Sequence, residues 1–286
     1  MLLAVWSIVG FDLAAALLLL APLVIVPLAL ELIEPLDCGL EAALHRAAVR
    51  WQLPAALVLL LAFALPTGAV AALAAAPWLL VTVLLAGQGL LRLRNGLPSA
   101  GEVAEIGALL FVAIGGGWTL LARLGWWPGD FEPVIALLTG VQFHFAGFVL
   151  PIVAAQQARR GCGLAMRTTL ALILLGIPLL AIGITFSPAA EFIAAVMLVI
   201  GAASVGIGQL RLALRARTPS ELTLFAVSGL SLLAGMALAM LYAAGEFFDA
   251  GWIDIATMIP LHGVANAVGF ALLGVIGFSK RITVTI

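Results

Sequence analysis

The sequence predicts an all-α fold: a polytopic transmembrane helical bundle of about nine spans, with its N-terminus outside and its C-terminus in the cytoplasm. Three observations predict it. Hydrophobic residues fill 64% of 286 positions against 9% charged, with a mean hydropathy of +1.25, a balance that no water-soluble chain of this size keeps dispersed. The apolar runs are unbroken rather than alternating, and lipid tolerates only helices or closed barrels because it offers a bare backbone no hydrogen-bond partner. The basic residues gather on one side of the resulting spans.

About 20 apolar residues cross about 30 Å of hydrocarbon. On that ruler the spans fall near 5–30, 51–71, 76–92, 103–122, 133–155, 168–187, 190–210, 222–243 and 255–278. The first apolar run continues from Met1 to about Leu30 with no basic segment ahead of it, so it reads as a retained span rather than a cleaved leader. The turn between the second and third spans is the least sharply marked: Pro66, Thr67, Gly68 and Pro77 all punctuate a stretch with no charge from Gln52 to Ala86. With the N-terminus outside, twelve of the thirteen basic residues lie in cytoplasmic segments: Arg46, Arg50, Arg92, Arg94, Arg159, Arg160, Arg167, Arg211, Arg215, Arg217, Lys280 and Arg281. Arg123 alone is outside, among acidic and aromatic residues that include Trp126, Trp127, Asp130, Glu132, Glu191, Glu246 and Trp252. Tryptophans there form an interfacial belt. The expected location is the cell (cytoplasmic) membrane. No linker divides the chain, so residues 1–286 are expected to form a single integral membrane domain. Cys38 and Cys162 both fall in cytoplasmic segments, where thiols stay reduced. Spans four and five, and again eight and nine, are joined by short aromatic-acidic loops and followed by one histidine each, the pattern of a parallel repeat about an axis along the membrane normal.

Polar side chains at membrane depth are costly and mark functional paths or satisfied interhelical contacts. His144 lies about twelve residues into span five, near mid-bilayer at about 1.5 Å per residue. His262 lies about half as deep in span nine, and both spans run inward from the outside, so one outward-opening cavity would hold both rings. For either histidine alone, a plain interhelical hydrogen bond has equal weight. Asn266 is one turn beyond His262 on the same face, and Gly269 continues that stripe. Gly140 and Gly147 flank His144 at packing spacing. Gln142 points about 200° away from His144. In the outer half, Tyr242, Glu246 and Arg123 complete the candidates for ligand binding or proton coupling. Glu246 ends span eight at the interface, where burial and a neighbouring histidine would hold it protonated or paired, although a helix-end carboxylate more often meets water. Arg123 is expected to pair with Asp130, Glu132 or Glu246, or to clamp an anionic group. On the cytoplasmic side, Glu102 and Glu105 sit at a helix N-terminus, which favours negative charge, and facing arginines would complete a charge network.

The chain carries no Gly-rich phosphate loop, no His-Glu-x-x-His, no Cys pair at zinc spacing and no Gly-x-Ser-x-Gly elbow. No catalytic residue is assigned, no metal site is expected and no nucleic-acid partner is implied. No cofactor is expected either; a haem held by His144 and His262 is the alternative, and their unequal depth weighs against it.

The strings Leu138-Thr139-Gly140-Val141-Gln142-Phe143-His144-Phe145-Ala146-Gly147-Phe148 and His262-Gly263-Val264-Ala265-Asn266-Ala267-Val268-Gly269-Phe270 resemble the signatures of the YndJ-like membrane proteins. The resemblance implies a His-Phe-His core in the first string, and here Gln142 stands in place of its first histidine. It also implies that His144, His262 and Asn266 are the residues to watch. The expected function is that of a transporter or small-molecule-binding protein with an outward-facing polar pocket. Its partners would be membrane lipid and a small organic or amphiphilic solute. The alternative is a membrane-embedded enzyme acting on an isoprenoid or lipid by histidine or carboxylate acid-base chemistry.

Overall fold

A backbone surrounded by lipid must satisfy its own hydrogen bonds, and this chain does so with helices throughout, with no strand among the described residues. The computed structural model describes residues 12–34, 38–94, 98–127 and 133–283. Among them are nine helices long and apolar enough to cross a membrane: α1 (Leu13–Leu30), α2 (Gly39–Ala64), α3 (Ala69–Arg94), α4 (Ala100–Leu124), α5 (Pro133–Ala158), α6 (Leu164–Phe186), α7 (Pro188–Ala213), α8 (Pro219–Phe247) and α9 (Ile255–Arg281). The nine spans read from hydropathy are therefore all present, with shifted ends. The start expected near residue 5 lies outside the described residues.

The largest shift is at α2, which begins at Gly39 rather than near residue 51. Hydropathy rejects residues 39–50 because they carry Glu41, Arg46 and Arg50. They are helical nonetheless, because Glu41, Ala42, His45 and Ala48 turn to the protein interior while Arg46 and Arg50 turn outward. The turn into α3 also comes earlier than expected. Leu65 is extended, Gly68 has φ 150°, a value open to glycine, and the Gly68 N–H donates to the Arg123 carbonyl at 2.9 Å. Pro77 lies inside α3 instead of starting it, as Pro54 lies inside α2.

Helix starts obey capping chemistry. Asp12, Ser187, Thr218 and Asp254 each accept a backbone N–H three residues on, and Pro188 and Pro219 occupy the first turn, where their missing N–H costs nothing. Hydrogen bonds from the Thr257 hydroxyl and amide hold the Asp254 carboxyl below its usual value.

The chain divides into two compact units: residues Met1–Ser99 with Glu105–Val149, and Ala100–Ala104 with Leu150–Ile286. In the first, α2 lies along α3, and the first part of α5 (Pro133–Gln142) packs on α1. In the second, α7 packs against both α6 and α8, and α8 carries α9. Small residues set these distances: a Cβ on Gly229 would fall 2.7 Å from the Gly206 carbonyl, so α7 and α8 approach backbone to backbone.

Among the described residues, three helices leave the α ladder. π-helical turns occupy Ala21–Ile25 in α1, Phe143–Val149 in α5, and Ile259–Gly263 with Ala265–Leu272 in α9.

Candidate functional site

A π turn inserts one residue into the helical register and re-aims the side chains around it, and such turns concentrate at functional sites. His144 sits in the π turn of α5, and His262 and Asn266 sit in the two π turns of α9. The three polar residues singled out in the sequence are thus all on irregular helix.

In the first unit, His144 is fully buried. Its Nδ1 lies 2.7 Å from the Gly140 carbonyl, and Trp78 Nε1 lies 3.0 Å from its Nε2. A carbonyl can only accept and an indole can only donate, so the ring is the Nδ1–H tautomer with both nitrogens engaged. The Trp78 and His144 rings stack at 5.9 Å and 22°. A glycine on α4 makes room: a Cβ on Gly115 would sit 2.8 Å from His144 Nδ1. Gly140 and Gly147 serve packing as well, against Leu18 and Phe111.

In the second unit the same grammar recurs with different partners. His262 Nδ1 donates to the Gly235 carbonyl on α8 at 2.9 Å, and Asn266 Nδ2 donates to His262 Nε2 at 3.0 Å. The pair is half-buried. Asn266 Oδ1 is left buried with no hydrogen-bond partner. Gly235 again makes the room, since a Cβ there would come within 2.6 Å of that oxygen. Gly269 packs against Ser231. His144 belongs to one unit and His262 with Asn266 to the other.

A metal or haem iron at either ring would have to displace one of these bonds. Among the described residues no three His, Cys, Asp or Glu side chains gather as a metal-holding group.

The remaining candidates are placed as follows. Gln142 is half-buried. Glu246 is exposed at the end of α8, within electrostatic reach of Glu191 and the half-buried Tyr242. The adjoining Phe247 stacks on Phe192 at 4.6 Å. Arg123 caps a neighbouring helix: its Nη2 donates to the Leu65 carbonyl at 2.7 Å and its guanidinium lies 4.8 Å over Phe63, leaving Nε buried without a partner. Asp130 and Glu132, two of its expected partners, lie outside the described residues.

The charge network expected between Glu105 and a facing arginine forms, and it takes in Glu41, His45 and Gln88, which were not among the sequence candidates. Arg92 at the end of α3 contacts Glu41 of α2 at 2.9 Å, Glu105 of α4 at 3.0 Å and the Glu34 carbonyl at 2.6 Å. Gln88 donates to Glu41 at 2.7 Å and accepts from His45 Nδ1 at 3.2 Å. One guanidinium thus ties the same-side ends of α2, α3 and α4 to the segment after α1. Glu105 is fully buried in this network, so it does more than complement a helix dipole. The spacing of Glu41 to His45 and of Gln88 to Arg92, four residues each, was the available signal.

Comparison with known proteins bears on most of the chain. The profile of the YndJ-like protein family matches residues 16–270. The uncharacterized membrane protein YndJ of Bacillus subtilis (strain 168) is 30% identical over 204 residues, 70% of this chain and 37% of that relative. The chain therefore aligns with well under half of the relative's length. No solved structure matches. The extent of the profile match, together with the relative, shows that this chain belongs to the YndJ-like protein family.

Proposed function

We propose that this membrane protein is a transporter or small-molecule-binding protein of the cell membrane, with its N-terminus outside, its C-terminus in the cytoplasm and a polar site centred on His262 and Asn266. One observation carries the reading: Asn266 Oδ1 is a buried acceptor with no partner, on a π-helical turn beside a histidine whose two nitrogens are already engaged. An orphaned buried acceptor costs about 1–3 kcal/mol, and a ligand that donates an N–H or O–H removes that cost. The complementary solute is small, with one hydroxyl or amide donor and an apolar or amphiphilic body. The crowding of twelve arginines and lysines at one set of helix ends supports the threading direction, which puts His262 and Asn266 in the outward half of α9.

His144 takes a positioning role here, holding α3 to α5 through Trp78. The test is uptake and export of solute classes in a deletion strain complemented with wild type, Asn266→Leu or His262→Ala, alongside His144→Ala. A solute whose movement is lost in the α9 variants while the protein remains in the membrane supports the proposal. If every solute class moves as in wild type in all three variants, the reading fails.

A further inference from the structure

On α2, away from the buried Glu41–Gln88–Arg92 network, lies a second charged feature of opposite character. Arg46 and Arg50 are exposed, four residues apart, and so stand on one face of the helix. With Ala47 and Trp51 they line a shallow, open surface hollow. Neither guanidinium has a carboxylate partner among the described residues, and the nearby Glu41 is turned inward and engaged by Gln88 and Arg92. Two like charges on one helix face repel, so this arrangement calls for an anion.

What lies below the hollow names the source of that anion. From Arg50 the same side of α2 continues as an exposed apolar ridge of Leu53, Leu57 and Leu61, which are 52%, 50% and 63% exposed. Arg50 to Leu61 rises about 16 Å along the helix, about half of a 30 Å hydrocarbon core. Trp51, 55% exposed, sits where the cations give way to the ridge, the place tryptophan takes at a membrane interface. Cations, a tryptophan and one leaflet's depth of leucine follow one another in the order of a headgroup, a glycerol level and an acyl chain.

We propose that Arg46, Arg50 and Trp51 bind the phosphate headgroup of an anionic phospholipid whose acyl chain lies on the Leu53–Leu57–Leu61 ridge. Arginine suits the role because its planar fork holds phosphate oxygens in pairs. The site is independent of the His262–Asn266 reading and survives its failure.

The test is native mass spectrometry of the purified full chain with added phosphatidylglycerol, or phosphatidylcholine of the same acyl chains, comparing wild type with Arg46→Gln/Arg50→Gln. A control, Arg167→Gln/Arg211→Gln, removes the same charge elsewhere. Wild type is expected to retain phosphatidylglycerol in preference to phosphatidylcholine. Each basic side chain at an anionic surface contributes about fivefold, so the Arg46/Arg50 double variant is expected to lose about thirtyfold in phosphatidylglycerol affinity, and the control little. Its unchanged unfolding midpoint in phosphatidylcholine separates a lost site from a lost fold. Equal loss in the control would show diffuse attraction to the basic face and overturn the site. Full competition by inorganic phosphate would overturn the lipid as its ligand.

Discussion

Replacing Trp78 with phenylalanine removes one N–H and keeps an aromatic ring against His144, which isolates the bond between α3 and α5. Trp78 and His144 are both at 0% exposure, so water cannot replace the lost donor. The abandoned Nε2 acceptor costs about 1–3 kcal/mol. A void of about 40 Å³ left by the smaller ring adds about 1 kcal/mol, for a total of about 2–4 kcal/mol. A double-mutant cycle with His144→Leu separates the two contributions, because removing both partners abolishes the bond without orphaning either. The coupling is expected at about 0.6 kcal/mol and at most about 1.7 kcal/mol, the average and the maximum for hydrogen bonds between membrane helices. Equilibrium unfolding in mixed micelles, followed by the fluorescence of the six remaining tryptophans of seven, measures it. Strictly additive single variants, or a Trp78→Phe protein as stable as wild type, would refute the bond. Nitrogen-15 spectra of the imidazole give an independent reading, with Nδ1 protonated and Nε2 bare.

Other outcomes follow from the same geometry. Arg92→Ala leaves Glu41 and Glu105, 3% and 0% exposed, without their shared cation, and should cost about 3–5 kcal/mol; Arg92→Lys should recover little, because one ammonium cannot span three acceptors on three segments. Thermal unfolding of the two variants checks this, and a fully stable lysine variant would contradict it. Gly235→Ala drives a methyl group into Asn266 and should cost about 1–3 kcal/mol, whereas Gly117→Ala, with nothing within 4 Å of the new atom, should be near neutral in the same measurement. The Asp254 cap has its carboxyl lowered by Thr257. Its contribution is therefore complete above the ordinary aspartate range and is lost as pH falls through the lowered value. Hydrogen exchange at residues 255–258 should stay protected through the ordinary range and rise only below it.

The number of spans was legible because lipid permits no other way to satisfy the backbone, and a helix cannot cross with much fewer than 20 apolar residues. Their ends were less so. Residues 39–50 fail a hydropathy test yet continue α2, since Glu41 and His45 are engaged by Gln88 and Arg92 in the interior while Arg46 and Arg50 turn outward. A contact between distant helices leaves no mark in a hydropathy window. The π turns were also invisible: Pro22 and Pro260 fall within two of them, but Pro54, Pro77 and Pro178 sit inside regular helix, so proline alone does not announce a register shift.

For the site, His144, His262 and Asn266 stood out because polar groups are rare at depth, and Asn266 does meet His262 as their spacing implied. The role of glycine as the partner of each histidine did not stand out. Nor did the buried glutamines, although one signal was available. Gly87, Gln88, Leu91, Leu93, Arg94, Pro98 and Ser99 recur at constant spacing as Gly208, Gln209, Leu212, Leu214, Arg215, Pro219 and Ser220. Gln88 and Gln209 are both fully buried. The recurrence spans the α3–α4 and α7–α8 junctions, in register with a four-helix parallel duplication.

The proposed outward-opening site at Asn266 can be probed directly. In a chain with Cys38→Ser and Cys162→Ser, a single Asn266→Cys is exposed in intact cells to a membrane-impermeant maleimide. Labelling from outside before the cells are opened is the expected result. Labelling only after permeabilisation would place this face of α9 on the other side of the membrane and contradict the proposed site.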